Sequence, residues 1–399
     1  MRGHASFLVT VSGQDEPGIA ARLFAVLGAG GVEVHDVEQV RVHGRLLLCV
    51  EVAGLEPGGE AVLAQDITAS LHDAAIDVTV LPLVERETAP ATGHFLVTVL
   101  APDITAADLE AVCGRIAESA GNIERIIRLS DYPVHSYELA VAGGDLNQLR
   151  RSLAGEAARR EVDIAVQVAG LHRRAKHLIV LDADSTLFQG EVIDQLAERR
   201  GCGAEVAAVT AAAMAGDMEF EDALRQRVQL LAGLGEADLD AVRSSLILTP
   251  GARTLVRTLK RLGYEIAVVS GGFTQLIADI VAGMGIDHLA ANVLDMKGGT
   301  LTGALAGPIV DRAGKAAALV RFAADAGVPL SQTIAVGDGA NDLDMLAAAG
   351  LGIAFNAKPL VREAADTSLS VPYLDAILFL LGISRGEVES ADKLDQAVS

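Results

Sequence analysis

Apolar stretches punctuate this chain in two rhythms. In the first, the pentapeptide FLVTV at residues 7–11 recurs at residues 95–99, a shift of 88 residues. After the first copy, a polar turn (12–18) leads into helical spacing of apolar residues at 19–27. An extended stretch (32–52) follows, broken at His43-Gly44, and then a helical segment (60–73) and a strand (77–84). After the second copy come a turn (101–105), a helix (106–119), an extended region broken at Asp131-Tyr132-Pro133, a helix (146–160) and a strand (162–168). Both halves read βαββαβ, an α+β split unit of the ferredoxin-like kind. Two copies are too few for a solenoid, so residues 1–87 and 93–170 are expected to be two small domains joined at 88–92, around Pro90.

From His177 the rhythm changes. Short apolar strands at 178–181, 265–269, 333–336 and 351–355 end in polar or Gly-rich turns and alternate with helices. This alternation predicts an α/β domain, residues 175–385, with a parallel sheet covered on both faces and a site at the carboxyl ends of its strands. Residues 190–248 interrupt it with helical periodicity alone, in segments near 191–200, 204–214, 219–231 and 237–245. An insertion of that length between two strands reads as a helical lid. The acidic stretch 386–399 reads as a flexible tail.

Composition narrows the function. A length of 399 residues suits several domains, and 51% hydrophobic residues with no Trp predict cores of small aliphatic side chains. The formal charge of −21 opposes a polyanionic partner, which argues against nucleic acid. Cys49, Cys113 and Cys202 have no metal-binding or disulfide spacing, and no apolar run is long enough for a membrane span. The expectation is a soluble cytoplasmic protein.

The chemistry gathers where strands end. The run His177-Leu178-Ile179-Val180-Leu181-Asp182-Ala183-Asp184-Ser185-Thr186-Leu187 closes a buried strand with two carboxylates. It begins like a calcium-binding EF-hand loop, but Leu187 stands where that loop needs Gly and Ile193 where it needs an acid. Another strand ends in Ser270-Gly271-Gly272, a hydroxyl and backbone N–H groups suited to phosphate oxygens. Lys315 opens a helix and can supply a point charge. A further strand ends in Gly337-Asp338-Gly339-Ala340-Asn341-Asp342. Helix capping would explain one such acid. Hard oxygen donors, a hydroxyl and a lysine at three strand ends point instead to a divalent cation, Mg²⁺, and a phosphoryl group.

These four motifs, in this order, resemble those of the haloacid-dehalogenase superfamily of phosphotransferases, whose core is Rossmann-like with a helical cap. The resemblance implies that Asp182 is the nucleophile and Asp184 the general acid/base, with Thr186 in support. It implies that Mg²⁺ is held by Asp182, the Asp184 backbone carbonyl and Asp338. Ser270, Gly271, Gly272, Lys315 and Asn341 would bind phosphate, and Asp342 would orient Lys315 or a water.

Within the lid, Glu191 follows the first motif closely, while Phe220 and Arg227 lie seven residues apart on one helical face. An acid for an ammonium, an Arg for a carboxylate and an aromatic wall resemble the phosphoserine phosphatases. This implies hydrolysis of O-phospho-L-serine to L-serine, the last step of serine biosynthesis. The βαββαβ repeats resemble ACT domains, amino-acid-sensing modules that commonly pair. Asp15 and Gly18 match the effector turn of that family, while the second copy keeps Asp103 and lacks the Gly. L-serine as effector and a homodimer are the matching expectations. Two alternatives stay open: a phosphatase or phosphotransferase for another small phosphomonoester, and an amino-acid sensor with a vestigial phosphatase domain.

Overall fold

Alternation along strand β1 (Phe7–Gln14) buries Phe7, Val9 and Val11 and turns Leu8, Thr10 and Ser12 outward, the pattern of a sheet covered on one face. The structure is a computed structural model describing residues 6–56, 58–83, 93–215 and 217–398, so the expected joint at 88–92 lies outside the described residues. After β1 come α1 (Ile19–Ala29), β2 (Glu33–Val42), β3 (Arg45–Ala53), α2 (Gly59–Ser70) and β4 (Ile76–Pro82). They form an antiparallel sheet of order β2-β3-β1-β4. His43 and Gly44, both at positive φ (46° and 77°), make the hairpin turn that the sequence break marks. Leu23 and Leu27 of α1 and Leu63 and Ile67 of α2 close a core with Val9, Val11, Leu48 and Val50.

The second repeat has the same plan: β5 (His94–Ala101), α3 (Ala106–Glu118), β6 (Asn122–Asp131), β7 (His135–Ala142), α4 (Leu146–Arg160) and β8 (Asp163–Val168), in the order β6-β7-β5-β8. Its surroundings differ, because contacts divide the chain into two units, residues 1–90 and 91–399, and the second repeat belongs to the larger one. Leu100, Leu129, Val134 and Ala165 lie in one continuous hydrophobic cluster with Leu369, Leu378 and Phe379. Polar groups reinforce the junction. Gln167 Nε2 and Arg173 Nε donate to the Leu380 carbonyl at 2.8 and 3.0 Å, and Ser370 N–H donates to Asp163 Oδ2 at 2.6 Å. Arg173 also pairs with buried Glu138 at 2.6 Å.

After the short helix α5 (Leu171–Arg174), β9 (Leu178–Asp182) starts the third region. The insertion expected to form a lid is four helices, α6 (Val192–Arg200), α7 (Gly203–Ala215), α8 (Phe220–Leu230) and α9 (Glu236–Ser245). The sheet domain resumes with α10 (Ala252–Arg261), β10 (Glu265–Phe273), α11 (Thr274–Gly283), β11 (His288–Lys297), β12 (Thr300–Ala306), α12 (Arg312–Asp325), β13 (Thr333–Gly337), α13 (Leu343–Ala348), β14 (Gly352–Phe355), α14 (Pro359–Ala364), β15 (Thr367–Leu369), α15 (Ile377–Leu380) and α16 (Arg385–Val398). The seven strands run β12-β11-β10-β9-β13-β14-β15, parallel except where β12 pairs antiparallel with β11. Central β9 is buried on both faces: Ile179 and Leu181 enter one core, Leu178 and Val180 the other. The continuous apolar run before Asp182 is therefore what a two-sided sheet demands.

The expected flexible tail is corrected here. Residues 385–398 form helix α16, in which Val388 is buried, Asp392 pairs with Arg257 at 2.6 Å, and Arg261 binds both Asp392 and Asp395. The acids that suggested a solvated tail are the ones that meet two arginines of α10. No described helix is long and apolar enough to cross a membrane.

Candidate active site

The cleft lies at the carboxyl ends of β9, β10 and β13. Asp182 closes β9, whose neighbours on either side are β10 and β13. The chain then makes a wide turn in which Asp184 is extended and Ser185 takes a left-handed conformation at φ 57°, uncommon for a residue with a side chain. This turn leaves both acids inside, Asp182 at 3% and Asp184 at 9% exposure. Buried acids need partners. Asp184 accepts hydrogen bonds from Val192 N–H at 2.8 Å and from the Ser270 hydroxyl at 3.1 Å. Asp182 takes the Lys315 ammonium at 2.5 Å, and the same Nζ reaches Asp342 at 2.7 Å. Asp342 in turn accepts Gly339 N–H at 3.0 Å. Lys315 itself is carried by α12, whose N-terminus is capped by Asp311 through Gly314 N–H at 2.7 Å.

The electrostatics of this cluster are unbalanced. Burial pushes the Asp182 carboxyl well above the ordinary range, Asp342 repulsion adds to it, and Lys315 only partly offsets both. Burial and the Asp342 charge bring Asp338 up to about 6. Desolvation disfavours the Lys315 charge, but the Asp182 and Asp342 carboxylates override it and hold the ammonium above the usual lysine range. Oxygens of Asp182, Asp338 and Asp342 all lie within 4.8 Å of one another. Crowded, buried, all-oxygen and short of positive charge, the set fits a hard divalent cation. The Asp184 carboxylate is not among those three groups, being committed to Val192 and Ser270. Thr186 approaches Asp338 at 3.5 Å, and Thr249 holds the Thr186 carbonyl at 2.6 Å.

Glycines let these side chains close in. A Cβ on Gly272 would stand 2.8 Å from Asp184 Oδ2 and 2.9 Å from Ser270 Oγ, and one on Gly337 only 2.4 Å from Asp342 Cγ. Gly339 leaves room in the same way for Asn341, whose Oδ1 would lie 2.1 Å from an added Cβ. The lid reaches the cleft as well, since Phe220 Cζ is 3.7 Å from the Cβ position of Gly271. Glu191 stands just before α6 and takes the Ser185 hydroxyl at 3.5 Å. It opens onto the cleft, yet desolvation and the Asp184, Asp338 and Asp194 charges bring its carboxyl up to about 7, against the pull of Arg227. Half-buried Arg227 feels desolvation first, and then the opposing charges of Glu191, Asp194 and Asp184. Two parts of the chain more than 30 residues apart thus bring an acid and an arginine into one electrostatic neighbourhood.

The candidate effector residues belong to the repeats. Asp15 is paired with Arg41 of β2 at 2.7 Å, and Gly18 precedes α1 at φ 96° without a side-chain cap. In the second repeat Asp103 is 95% exposed and 3.8 Å from His135, while Thr105 and Asp108 close the N-terminus of α3 with a reciprocal capping box. The two copies therefore present different helix starts. Sequence reasoning missed Ser185, Asp194, Thr249 and Asn292, a buried amide on β11 that donates to the Gly271 carbonyl at 2.8 Å. A lone Asn after two alanines was the only signal of the last.

The chain is similar to known proteins along its whole length. The haloacid dehalogenase-like hydrolase family matches residues 179–347, and ACT domain families match residues 5–80 and 92–167. A phosphoserine phosphatase of Streptomyces coelicolor is 53% identical over 98% of this chain and 95% of its own length. A phosphoserine phosphatase of Mycobacterium tuberculosis is 48% identical over 100% of this chain and 98% of its own. Among solved structures, a haloacid-dehalogenase-family hydrolase of Salmonella enterica serovar Typhi superposes with a TM-score of 0.63 at 27% identity, covering 72% of this chain and 98% of that one. With identity of that order along essentially its whole length, and with the cleft's acids, serine and lysine inside the matched hydrolase region, this chain belongs to the phosphoserine phosphatase family.

Proposed function

We propose that this chain hydrolyses O-phospho-L-serine to L-serine and phosphate. The observation that carries the reading is the pairing of a buried, lysine-held carboxylate, Asp182, with an acid and an arginine of the lid that face the same cleft. Phosphate at one end and ammonium plus carboxylate at the other are the charges such a cleft complements.

In this reading Asp182 Oδ attacks phosphorus, the P–O bond to the serine Oγ breaks, and an aspartyl-phosphate forms. Asp184 delivers a proton to the departing alkoxide. Burial pushes its carboxyl above the ordinary range, which favours the protonated form that this step needs. Asp184 then takes a proton from the water that attacks phosphorus, releasing phosphate and restoring Asp182. Ser270, Gly271, Gly272, Lys315 and Asn341 hold the phosphoryl oxygens where charge develops. Asp342 keeps Lys315 aimed and Thr186 steadies the turn. Asp182, the Asp184 carbonyl and Asp338 would hold Mg²⁺, which would supply the charge neutralisation a carboxylate needs to approach a phosphate dianion. Glu191 selects the ammonium, Arg227 the carboxylate, and Phe220 walls the substrate side.

L-serine as an effector at Asp15 and Gly18 suits the uncapped start of α1, where an added ammonium competes with Arg41 for Asp15. Asp103 is the weaker counterpart, beside a helix start already closed by its own side chains. A cytoplasmic homodimer completes the proposal, in keeping with three free thiols and two ACT domains. The test is phosphate release from a panel of phosphorylated amino acids with and without Mg²⁺. Release should favour phosphoserine, need the cation and vanish in Asp182→Asn; undiminished release in that variant refutes the nucleophile assignment.

A further inference from the structure

Strands β10 and β11 pair in register up to Ser270↔Ala291 and resume at Phe273↔Asn292, so Gly271 and Gly272 loop out with no counterpart on β11. A looped-out pair leaves a carbonyl without its ladder partner. The side chain of Asn292, 1% exposed, fills that gap: its Nδ2 donates to the Gly271 carbonyl at 2.8 Å. Its Oδ1 accepts Val310 N–H at 2.8 Å. One partner is a C=O and the other an N–H, so the orientation of the amide is fixed by chemistry.

Both ends of this bridge lead to phosphate-facing groups. The Gly271 carbonyl shares its peptide plane with Gly272 N–H, which donates to Ser270 Oγ at 2.7 Å, and that hydroxyl donates to Asp184. Fixing the carbonyl therefore fixes which way the Ser270 proton points. At the other end, Val310 immediately precedes Asp311, the cap of the helix that carries Lys315. One buried amide spans two segments that belong to different motifs of the site.

We infer that Asn292 is a positioning residue for phosphoryl transfer, setting the Ser270–Gly272 loop against the start of the Lys315 helix so that both grip one phosphoryl group. The inference rests on the proposed phosphatase reading. It contacts the reaction only through Gly271, Ser270 and the segment around Asp311, so its signature is a loss of phosphate grip that leaves amino-acid recognition by the lid untouched.

The test compares the wild-type chain, Asn292→Leu, which loses both bonds, and Asn292→Asp, which keeps the acceptor for Val310 N–H and loses the amide donor. Unfolding temperature, kcat, KM and inhibition by inorganic phosphate in the presence of Mg²⁺ are measured. In folded variants kcat should fall on the order of 10–100-fold and the phosphate inhibition constant should rise about tenfold. The ratio of kcat/KM for phosphoserine to that for p-nitrophenyl phosphate should hold within about twofold, since both substrates lose the same grip. Wild-type kcat and phosphate inhibition in either folded variant overturn the inference, as does a loss confined to phosphoserine. Should wild type release no phosphate from phosphoserine, the reaction reading fails by itself, and direct titration with inorganic phosphate and Mg²⁺ still decides on Asn292. If neither variant folds, amide exchange of the ligand-free chain decides: residues 271–273 and 310–314 opening as one unit support the bridge, and independent opening overturns it.

Discussion

Lys315→Met tests the site where its charges are least balanced. The ammonium stands 2.5 Å from Asp182 and 2.7 Å from Asp342, with all three side chains almost wholly buried. Met keeps the length and apolar stem and removes the charge, so two buried carboxylates lose their counter-ion at once. Breaking a buried pair by deleting one partner costs about 3–5 kcal/mol, and two orphaned acids place this case at the upper end. Each kcal/mol moves the midpoint of a domain this large by roughly 2 °C, so thermal unfolding of the metal-free chain should shift down by about 10 °C. A divalent cation offers the same carboxylates a new partner and binds only the folded state, so added Mg²⁺ should stabilise the variant more than the wild type. Phosphate release should fall about 10²–10³-fold even at saturating Mg²⁺, because the cation cannot replace the ammonium on the phosphoryl oxygens. An unchanged midpoint, or equal stabilisation of both chains by Mg²⁺, would falsify the view that Lys315 is the counter-charge of this cluster.

Two further outcomes follow from the geometry. Glu191 is held up to about 7, so it is mostly protonated below that pH and ionised above it; recognition of an ammonium needs the ionised form. Relative to that for an aryl phosphate, kcat/KM for phosphoserine should therefore fall as pH drops below about 7, a difference absent in Glu191→Gln. Arg173→Leu leaves Glu138 buried and unpaired at the junction of the second repeat, at a cost of about 3–5 kcal/mol in chemical denaturation, most of which Glu138→Leu in the same chain should restore.

Where the sequence pattern is strict, it was readable. The FLVTV repeat announced two βαββαβ domains, and the unbroken apolar run 178–181 announced a strand buried on both faces. The helical rhythm of 190–248 gave the four lid helices to within two residues. Asp182, Asp184, Ser270, Lys315, Asp338 and Asp342 were visible because strand ends collect chemistry, and the structure brings them to one cleft. What stayed hidden depended on contacts distant in sequence. Asn292 looked like any polar residue in a strand until a two-residue loop-out on the neighbouring strand gave it a carbonyl to hold. Helix α16 looked like a solvated tail because its partners, Arg257 and Arg261, lie about 130 residues earlier. The engagement of Asp15 by Arg41 was equally silent, since a turn and an edge strand meet only after the sheet has formed.

The shared core beneath the second repeat bears on how this chain can be taken apart. By sequence it is three beads on a string, two of them alike. By packing, the second bead shares one interior with the third: Leu100, Leu129, Val134 and Ala165 sit among the side chains that also surround the sheet. Excision ahead of Gly93 removes a self-contained piece, whereas excision ahead of Leu171 would strip a wall from the hydrolase and lay its interior open to water. Dissection experiments on regulation should respect that seam, or they will mistake an injured enzyme for a released one. The two repeats are alike in plan, but the second is built into the interior of the hydrolase.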